Sequence, residues 1–298
     1  MQKIINYPLF SVLIANYNNG KFIKSAIESV KKQSYNNWEI IIVDDCSTDN
    51  SCSLYKEYEF DSRIHIAMNE SNKGISYTKR RCIDLANGSL MAFLDPDDEL
   101  LEDALMKHYK VHDSYENVSI VFSRHYLCDE TMNIIAESRI LNIDNTESYL
   151  TKKDFHAEHL VSFKSHYYRK TAGLNTLYRL AVDTDLNFMM EEVGDLFCMN
   201  DICYKYRKNL KTMATSNYSK HMFWNMLVQY DACKRRQVDV ESQIYEWFQS
   251  TVSFMISQQI YETESRIRKS LAYRIGKTIL VPIKYIKSLF SNTNNQDK

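Results

Sequence analysis

The segment MAFLDPDDEL, residues 91–100, sets Asp95, Asp97 and Asp98 within four positions directly behind an apolar run. Three carboxylates that close repel one another unless something positive sits between them. Oxygen ligands at this density suit Mg2+ or Mn2+, which keep several waters and bind through one or two carboxylates plus substrate phosphates. The competing reading is helix capping, with Asp97 or Asp98 opening a helix at Glu99 or Leu100 and stabilising it by about 1 kcal/mol. Capping accounts for one acid or two, not for three. A second pair, Asp44 and Asp45 in WEIIIVDDCSTDN, closes an earlier apolar run. A carboxylate there could accept a hydrogen bond from a ring N–H or a ribose hydroxyl, or could simply shape a turn. No G-x-G-x-x-G follows the first apolar run and no G-x-x-x-x-G-K-[ST] occurs. A phosphate would therefore be met by a neutralising metal, not by a glycine cradle.

The elements that must position these acids alternate through residue 128. FSVLIA (10–15), WEIIIVDD (38–45), RIHIAM (63–68), SLMAFLD (89–95) and VSIVFSRHYL (118–127) read as strands, the first two continuous enough to be buried on both faces. Between them, Phe22, Ile23, Ala26, Ile27 and Val30 fall at helical spacing. A helix is predicted after STDNS, with Ser47 or Asp49 as cap, and another over 74–88, closed by Asn87-Gly88. DELLEDALMKHYKVH reads as helical from its first residues. Such alternation means βαβ units and a mainly parallel sheet, with ligands beyond the carboxyl ends of the strands. If the strands ending at Asp45 and Asp95 are near neighbours, both acid clusters share one rim. Residues 129–180 are irregular, 179–194 form a helix, DLFCMNDICYKYR returns as extended chain, and the remainder is helical to about 290.

Composition narrows the partners. A net charge of −1 over 298 residues gives no global attraction to nucleic acid. Seven cysteines, odd in number and without a C-x-x-C pair, read as reduced thiols of a cytoplasmic protein. MQKIINYPLF lacks the apolar stretch of a signal peptide, and no segment has the ~18 apolar residues of a membrane span. His156, His159 and His166 fit no standard zinc spacing. Tyr167 and Tyr168 are candidates for stacking on a sugar. The tail RIRKSLAYRIGKTILVPIKYIKSLF (266–290) carries seven Lys or Arg and no acid. It reads either as a helix packed on the protein with a solvated basic face or as an interfacial helix on anionic lipid.

Taken in order, FSVLIANYNNGKFIKSAIESVKKQSYNNWEIIIVDDCSTDNS, NKGISYTKRRCIDLANGSLMAFLDPDDEL and GLNTLYRLAVDTDLNFMMEEVGDLFCMNDICYKYR resemble the family-2 glycosyltransferases of the GT-A fold, over about residues 8–210. The resemblance implies an α/β, Rossmann-like mixed sheet, mainly parallel and flanked by helices, in a domain over 1–214. Residues 1–128 would be its nucleotide-binding half and 129–214 its acceptor-side half, with a helical extension over 215–298. It implies sugar transfer from a nucleotide-diphosphate donor, UDP-linked by preference, to a hydroxyl of a glycan or lipid-linked acceptor, with inversion and with Mn2+ or Mg2+. Position by position, Ala15, Asn16 and Tyr17 would line the base and Asp45 would contact it, with Lys79 near the nucleotide. Asp97 would face the ribose, Asp95 and Asp98 the metal, and Asp183 would be the general base, with Asp185 structural. Arg169 or Arg207 could assist the leaving diphosphate. Val182 stands where the family commonly has Glu, Asn209 where it often has His, and the Q-x-x-R-W signature of processive relatives is missing. The implied enzyme is non-processive and peripheral at the inner face of the cell membrane, reached through 266–290, and it builds a surface polysaccharide. Its rivals are a sugar nucleotidyltransferase of similar fold and a non-catalytic nucleotide-sugar-binding module.

Overall fold

The run FSVLIAN forms β1 (Phe10–Asn16), buried along its whole length because helices cover both faces of it. The computed structural model describes residues 7–139, 148–150, 159–208 and 218–270. Val12 and Ile14 pack with Ile23, Ala26, Ile27 and Val30 of α1 (Ile23–Lys31) on one face. Leu13 and Ala15 face the other way, onto Cys82 and Ile83 of α3 (Ile75–Leu85) and Leu186 of α6 (Val182–Glu191). Each such fully buried aliphatic side chain contributes about 1.5–3 kcal/mol of transfer free energy. The sheet is thus a shared wall between two apolar layers.

β2 (Trp38–Asp44), β3 (Ile64–Met68) and β4 (Leu90–Phe93) join β1 in parallel, in the order β3-β2-β1-β4. Beyond β4 come β8 (Val161–Lys164), antiparallel to both its neighbours, then β6 (Val118–Cys128) and β9 (Asp195–Arg207), parallel to each other. β7 (Ile134–Glu137) pairs with β6. The mixed, mainly parallel sheet flanked by helices is the fold class expected from the sequence.

Two local readings are corrected. α2 (Ser51–Tyr55) starts later than STDNS suggested; neither Ser47 nor Asp49 is its N-cap, although Asp49 Oδ1 accepts the Ser51 N–H at 3.0 Å. DELLEDALMKHYKVH is not helical from its start. Glu99–Leu100 form β5, antiparallel to β9, and α4 begins at Ala104 and ends at Ser114. Leu100 is buried and its N–H donates to Ser29 Oγ at 3.1 Å, so tertiary pairing overrides helical propensity there.

The chain divides into two compact units, Met1–Val240 and Glu241–Lys298. The first runs past the expected boundary at 214 because α7 (Tyr218–Arg236) buries Val228 and Ala232 with Tyr178, Ala181 and Phe188. α8 (Val240–Lys269) makes up most of what is described of the second. Among the described residues no helix is long and apolar enough to cross a membrane. Residues 271–290 of the basic tail lie outside the described residues.

Candidate active site

The first four parallel strands end at one rim. Asn16 stands in register with Asp44, and Leu94, just past β4, donates its N–H to Leu13 O at 3.0 Å. Asp45 and the 95–98 turn are therefore carried at the same edge, two strands apart, as the near-neighbour condition required.

The two acidic strand ends behave differently. Asp44 is fully buried, its Oδ2 accepting from Asn16 Nδ2 at 2.9 Å and Tyr55 OH at 2.6 Å. Asp45 is buried too. Its Oδ1 accepts from Asn69 Nδ2 at 2.7 Å and the Lys73 N–H at 2.8 Å, and its Oδ2 from the Gly74 N–H at 2.8 Å. Gly74, with φ of 90°, supplies a left-handed conformation that other residues rarely adopt. Asp45 thus pins the 69–74 loop to the rim. Of the three residues expected to line a base, Ala15 and Asn16 are buried, the Asn16 amide turning inward to Asp44. Tyr17 stands 44% exposed, with its ring free to receive a planar ligand.

The 95–98 turn closes through the Asp98 N–H donating to Asp95 O at 3.1 Å. β9 fixes it from the side. Tyr204 OH accepts the Asp95 N–H at 3.2 Å and donates to Asp98 Oδ2 at 2.8 Å. The Arg207 N–H donates to Asp98 Oδ1 at 2.7 Å, and Arg207 Nε donates to Asp97 O at 2.6 Å. Arg207 is buried and stacks over Phe22. It braces the turn, while Arg169 is exposed.

Burial and the neighbouring Asp95 push the Asp97 carboxyl up to about 6. Burial, then Asp95 and Asp97, push Asp98 well up as well, against the bonds from Arg207 and Tyr204. The cluster is short of positive charge, the condition under which a divalent cation fits. Asp98 has one protein donor on each oxygen, leaving a lone pair on each. No set of three His, Cys, Asp or Glu side chains suited to a metal occurs among the described residues. A cation here would complete its shell with water and phosphate oxygens, as Mg2+ and Mn2+ do.

Across from the turn, Lys79 on α3 is buried, and its Nζ lies 2.5 Å from Asp183 Oδ1 and 4.0 Å from Asp95 Oδ1. Burial lowers its proton affinity, but Asp183 and Asp95 outweigh that and hold the ammonium above its ordinary value. Asp183 sits in the first turn of α6, where the helix dipole favours an anion. Its side chain is 58% exposed. Burial alone would raise its pKa; Lys79 above all, with His159 and His221, brings it below the usual carboxylate range. Asp185 turns inward instead. It is buried, faces Arg235 at 3.8 Å, and burial pushes it up to about 6.

The sequence reading did not single out the part played by Tyr204 and Arg207 in fixing the acidic turn. Tyr168, offered as a sugar platform, ends the short helix α5 (Ser165–Tyr168) and is instead in the core, its OH accepting the Leu174 N–H at 2.9 Å. His166 is exposed beside Tyr167. Asn209 and His156 lie outside the described residues.

A mixed sheet whose parallel strands end at an acidic rim, with helices on both faces, is an α/β fold of the GT-A type. The model of the glycosyl transferase family 2 matches residues 11–175, more than half of the chain. The protein belongs to that family and is a glycosyltransferase. It is 25% identical over 243 residues to the Bacillus subtilis glycosyltransferase EpsE, covering 80% of this chain and 86% of that one. It is 42% identical over 101 residues to TuaG of the same organism, named for teichuronic acid biosynthesis, a match spanning 34% of this chain and only 40% of that one. Among solved structures, S. aureus TarS 1–349 in complex with UDP-GlcNAc aligns over 82% of this chain and 73% of that one, with a TM-score of 0.66 at 17% identity. The Pyrobaculum calidifontis mannosyltransferase PcManGT, in complex with GDP-Man and Mn2+, covers 92% and 84%, with a TM-score of 0.58 at 15% identity. These two likenesses show the shared fold.

Proposed function

We propose that this glycosyltransferase moves a sugar from a UDP-sugar to an acceptor hydroxyl, with inversion and with a divalent cation, in the synthesis of a surface polysaccharide. The carrying observation is the row Asp183–Lys79–Asp95, which sets a base candidate one ammonium away from the acidic turn. Relatives named for teichuronic acid biosynthesis and as chondroitin synthase support the polysaccharide setting. The neighbours solved with UDP, with UDP-GlcNAc and with GDP-Man and Mn2+ support a nucleotide-sugar donor and a metal.

In this reading the nucleotide base stacks on Tyr17 at the ends of β1 and β2, near Ala15 and Asn16, and is contacted by Asp45, which also keeps the 69–74 loop in place. Asp97 faces the ribose. Asp95 and Asp98 would hold Mn2+ or Mg2+, which when bound neutralises the charge growing on the leaving diphosphate. Lys79 adds a second cation to the same region. Asp183 accepts the proton of the acceptor hydroxyl as its oxygen attacks the anomeric carbon from the face opposite the departing phosphate. For that, the donor must draw Lys79 away from Asp183, since a carboxylate bound to an ammonium is a poor proton acceptor. The acceptor is a glycan or a lipid-linked saccharide at the inner face of the cell membrane, reached through the basic segment 266–290.

The test is binding of UDP, GDP and their sugars with and without Mn2+, followed by thermal unfolding, because a specific ligand stabilises by mass action. Metal-dependent stabilisation by one base and one sugar supports the reading. A response to no nucleotide defeats it.

A further inference from the structure

His159 is a polar side chain close enough to Asp95 and Asp183 to feel their charge, and it has no role so far. Its ring lies nearly parallel to Tyr206, centroids 5.2 Å apart and planes 7° apart, and stacks on Tyr204 at 5.2 Å and 20°. His125 meets its edge at 5.6 Å. The backbone is fixed as well. The Ser123 N–H donates to Leu160 O at 3.1 Å, the Leu160 N–H donates to Ser123 Oγ at 3.0 Å, and Ser123 Oγ donates to His159 O at 3.3 Å. Stacked against two tyrosine rings and fixed at its backbone, the imidazole presents its nitrogens along its own plane. The residue is half-buried, and no described side chain hydrogen-bonds those nitrogens. Tyr204, the ring it rests on, is the one bonded to Asp98.

The charges that act on this ring are those of Asp95, Asp183 and Lys79, together with His125. Because Tyr204, on which the ring rests, is hydrogen-bonded to the Asp95 N–H and to Asp98, the imidazole borders the acidic turn. We propose that His159 hydrogen-bonds a hydroxyl of the transferred sugar and so helps to position it and to select it, an inference that rests on the transferase reading above. Lys79 and a bound cation already answer the phosphate charge. Burial holds the imidazole below its ordinary pKa, so at neutral pH it is uncharged, with one donor and one acceptor nitrogen. That set complements a hydroxyl, which both donates and accepts, better than it complements a phosphate. A site built to bond a sugar hydroxyl also discriminates against sugars in which that hydroxyl is missing.

Two substitutions separate the nitrogens from the stack. His159→Phe keeps an aromatic ring against Tyr204 and Tyr206 and removes both nitrogens. His159→Gln keeps a donor and an acceptor without the ring. The probes are UDP and whichever of UDP-glucose, UDP-galactose and UDP-N-acetylglucosamine binds the wild-type chain most tightly, by calorimetry with Mn2+, alongside turnover and thermal unfolding. UDP should bind all three proteins alike and the unfolding midpoints should agree. His159→Phe should lose roughly tenfold in affinity for the UDP-sugar and in kcat, with His159→Gln recovering part of both. The proposal is overturned if His159→Phe binds and turns over the UDP-sugar as the wild type does, or if it loses UDP itself to the same degree. A wild-type chain that does not distinguish UDP-sugar from UDP would defeat the transferase reading first, and this inference with it.

Discussion

Lys79 and Asp183 form the shortest ion pair among those described, Nζ to Oδ1 at 2.5 Å, between residues 104 positions apart. The pair joins α3 to α6. Removing the carboxylate's charge while keeping its shape, in Asp183→Asn, should lower kcat by roughly 10²–10⁴-fold with UDP-sugar affinity retained. Steady-state kinetics and calorimetry on the same preparation check this; an unchanged kcat would dismiss Asp183 as base.

Lys79→Met tests the other partner. Lys79 is the strongest influence lowering Asp183, so its loss lets burial raise the carboxyl. Asp183 of the free enzyme is then protonated at higher pH, and the acid limb of the kcat/KM profile should move upward. A limb that stays in place would mean that another group sets it.

Asp98 cannot be probed cleanly by alanine. Asp98→Ala would leave the buried Tyr204 hydroxyl and the Arg207 N–H without acceptors, at about 1–3 kcal/mol each. Asp98→Asn keeps the shape and one acceptor oxygen, so the chain should stay folded while losing Mn2+-dependent nucleotide binding. In the wild type, protons should compete with the metal as pH falls, because burial and the neighbouring Asp95 and Asp97 raise the Asp98 carboxyl. Manganese titrations of UDP binding at pH 7.5 and 5.5 read both effects, and equal affinity at the two values would contradict the assignment.

How far these arrangements were legible depended on where the partners lie in the chain. FSVLIAN and WEIIIVD announce buried parallel strands because both their faces are apolar, and the alternation with helices then fixes the rim. The two-residue β5 was not legible, because Glu99 and Leu100 are held by Lys205 and Tyr204 of β9. Asp183 looked like an ordinary first-turn acid until the family resemblance marked it, since nothing local shows that Lys79 faces it. His159 read as one of several loop histidines because stacking on Tyr204 and Tyr206 leaves no trace in spacing.

A second histidine pair supplies a stability prediction. His108 Nδ1 and His112 Nε2, on one face of α4, both lie within hydrogen-bond distance of Ser162 Oγ, at 2.6 and 2.9 Å. Burial pushes His108 down to about 3 and His112 well below its ordinary value. Both are neutral in the folded chain at pH 7. As pH falls below about 6.5 the unfolded chain takes up protons that the folded chain refuses, so stability drops toward pH 3, by up to about 1.4 kcal/mol per pH unit for each histidine. Asp97 and Asp185, raised by burial, act in the opposite direction. The histidine contribution is therefore the difference between wild type and His108→Leu. Urea midpoints should converge, or cross in the variant's favour, between pH 7.5 and 5, and a constant difference would contradict it.

The position of α7 makes the last prediction. Its Val228 and Ala232 are fully buried against Tyr178 and Phe188, the Tyr178 hydroxyl donates to Asp231, and Arg236 Nη2 donates to Phe188 O at 2.8 Å. A chain ending at 214 would bare this patch and free the C-terminal half of α6, the helix that carries Asp183. A chain ending at 240 keeps every one of these contacts. Truncation at 240 should therefore unfold within a few degrees of the full chain and retain UDP binding, whereas truncation at 214 should unfold many degrees lower or fail to fold. Burying a Val and a Phe is worth about 1.5–3 kcal/mol each, with less from Ala232, a large part of a domain's net stability. Equal midpoints for the two truncations would show that the catalytic domain ends before α7 after all.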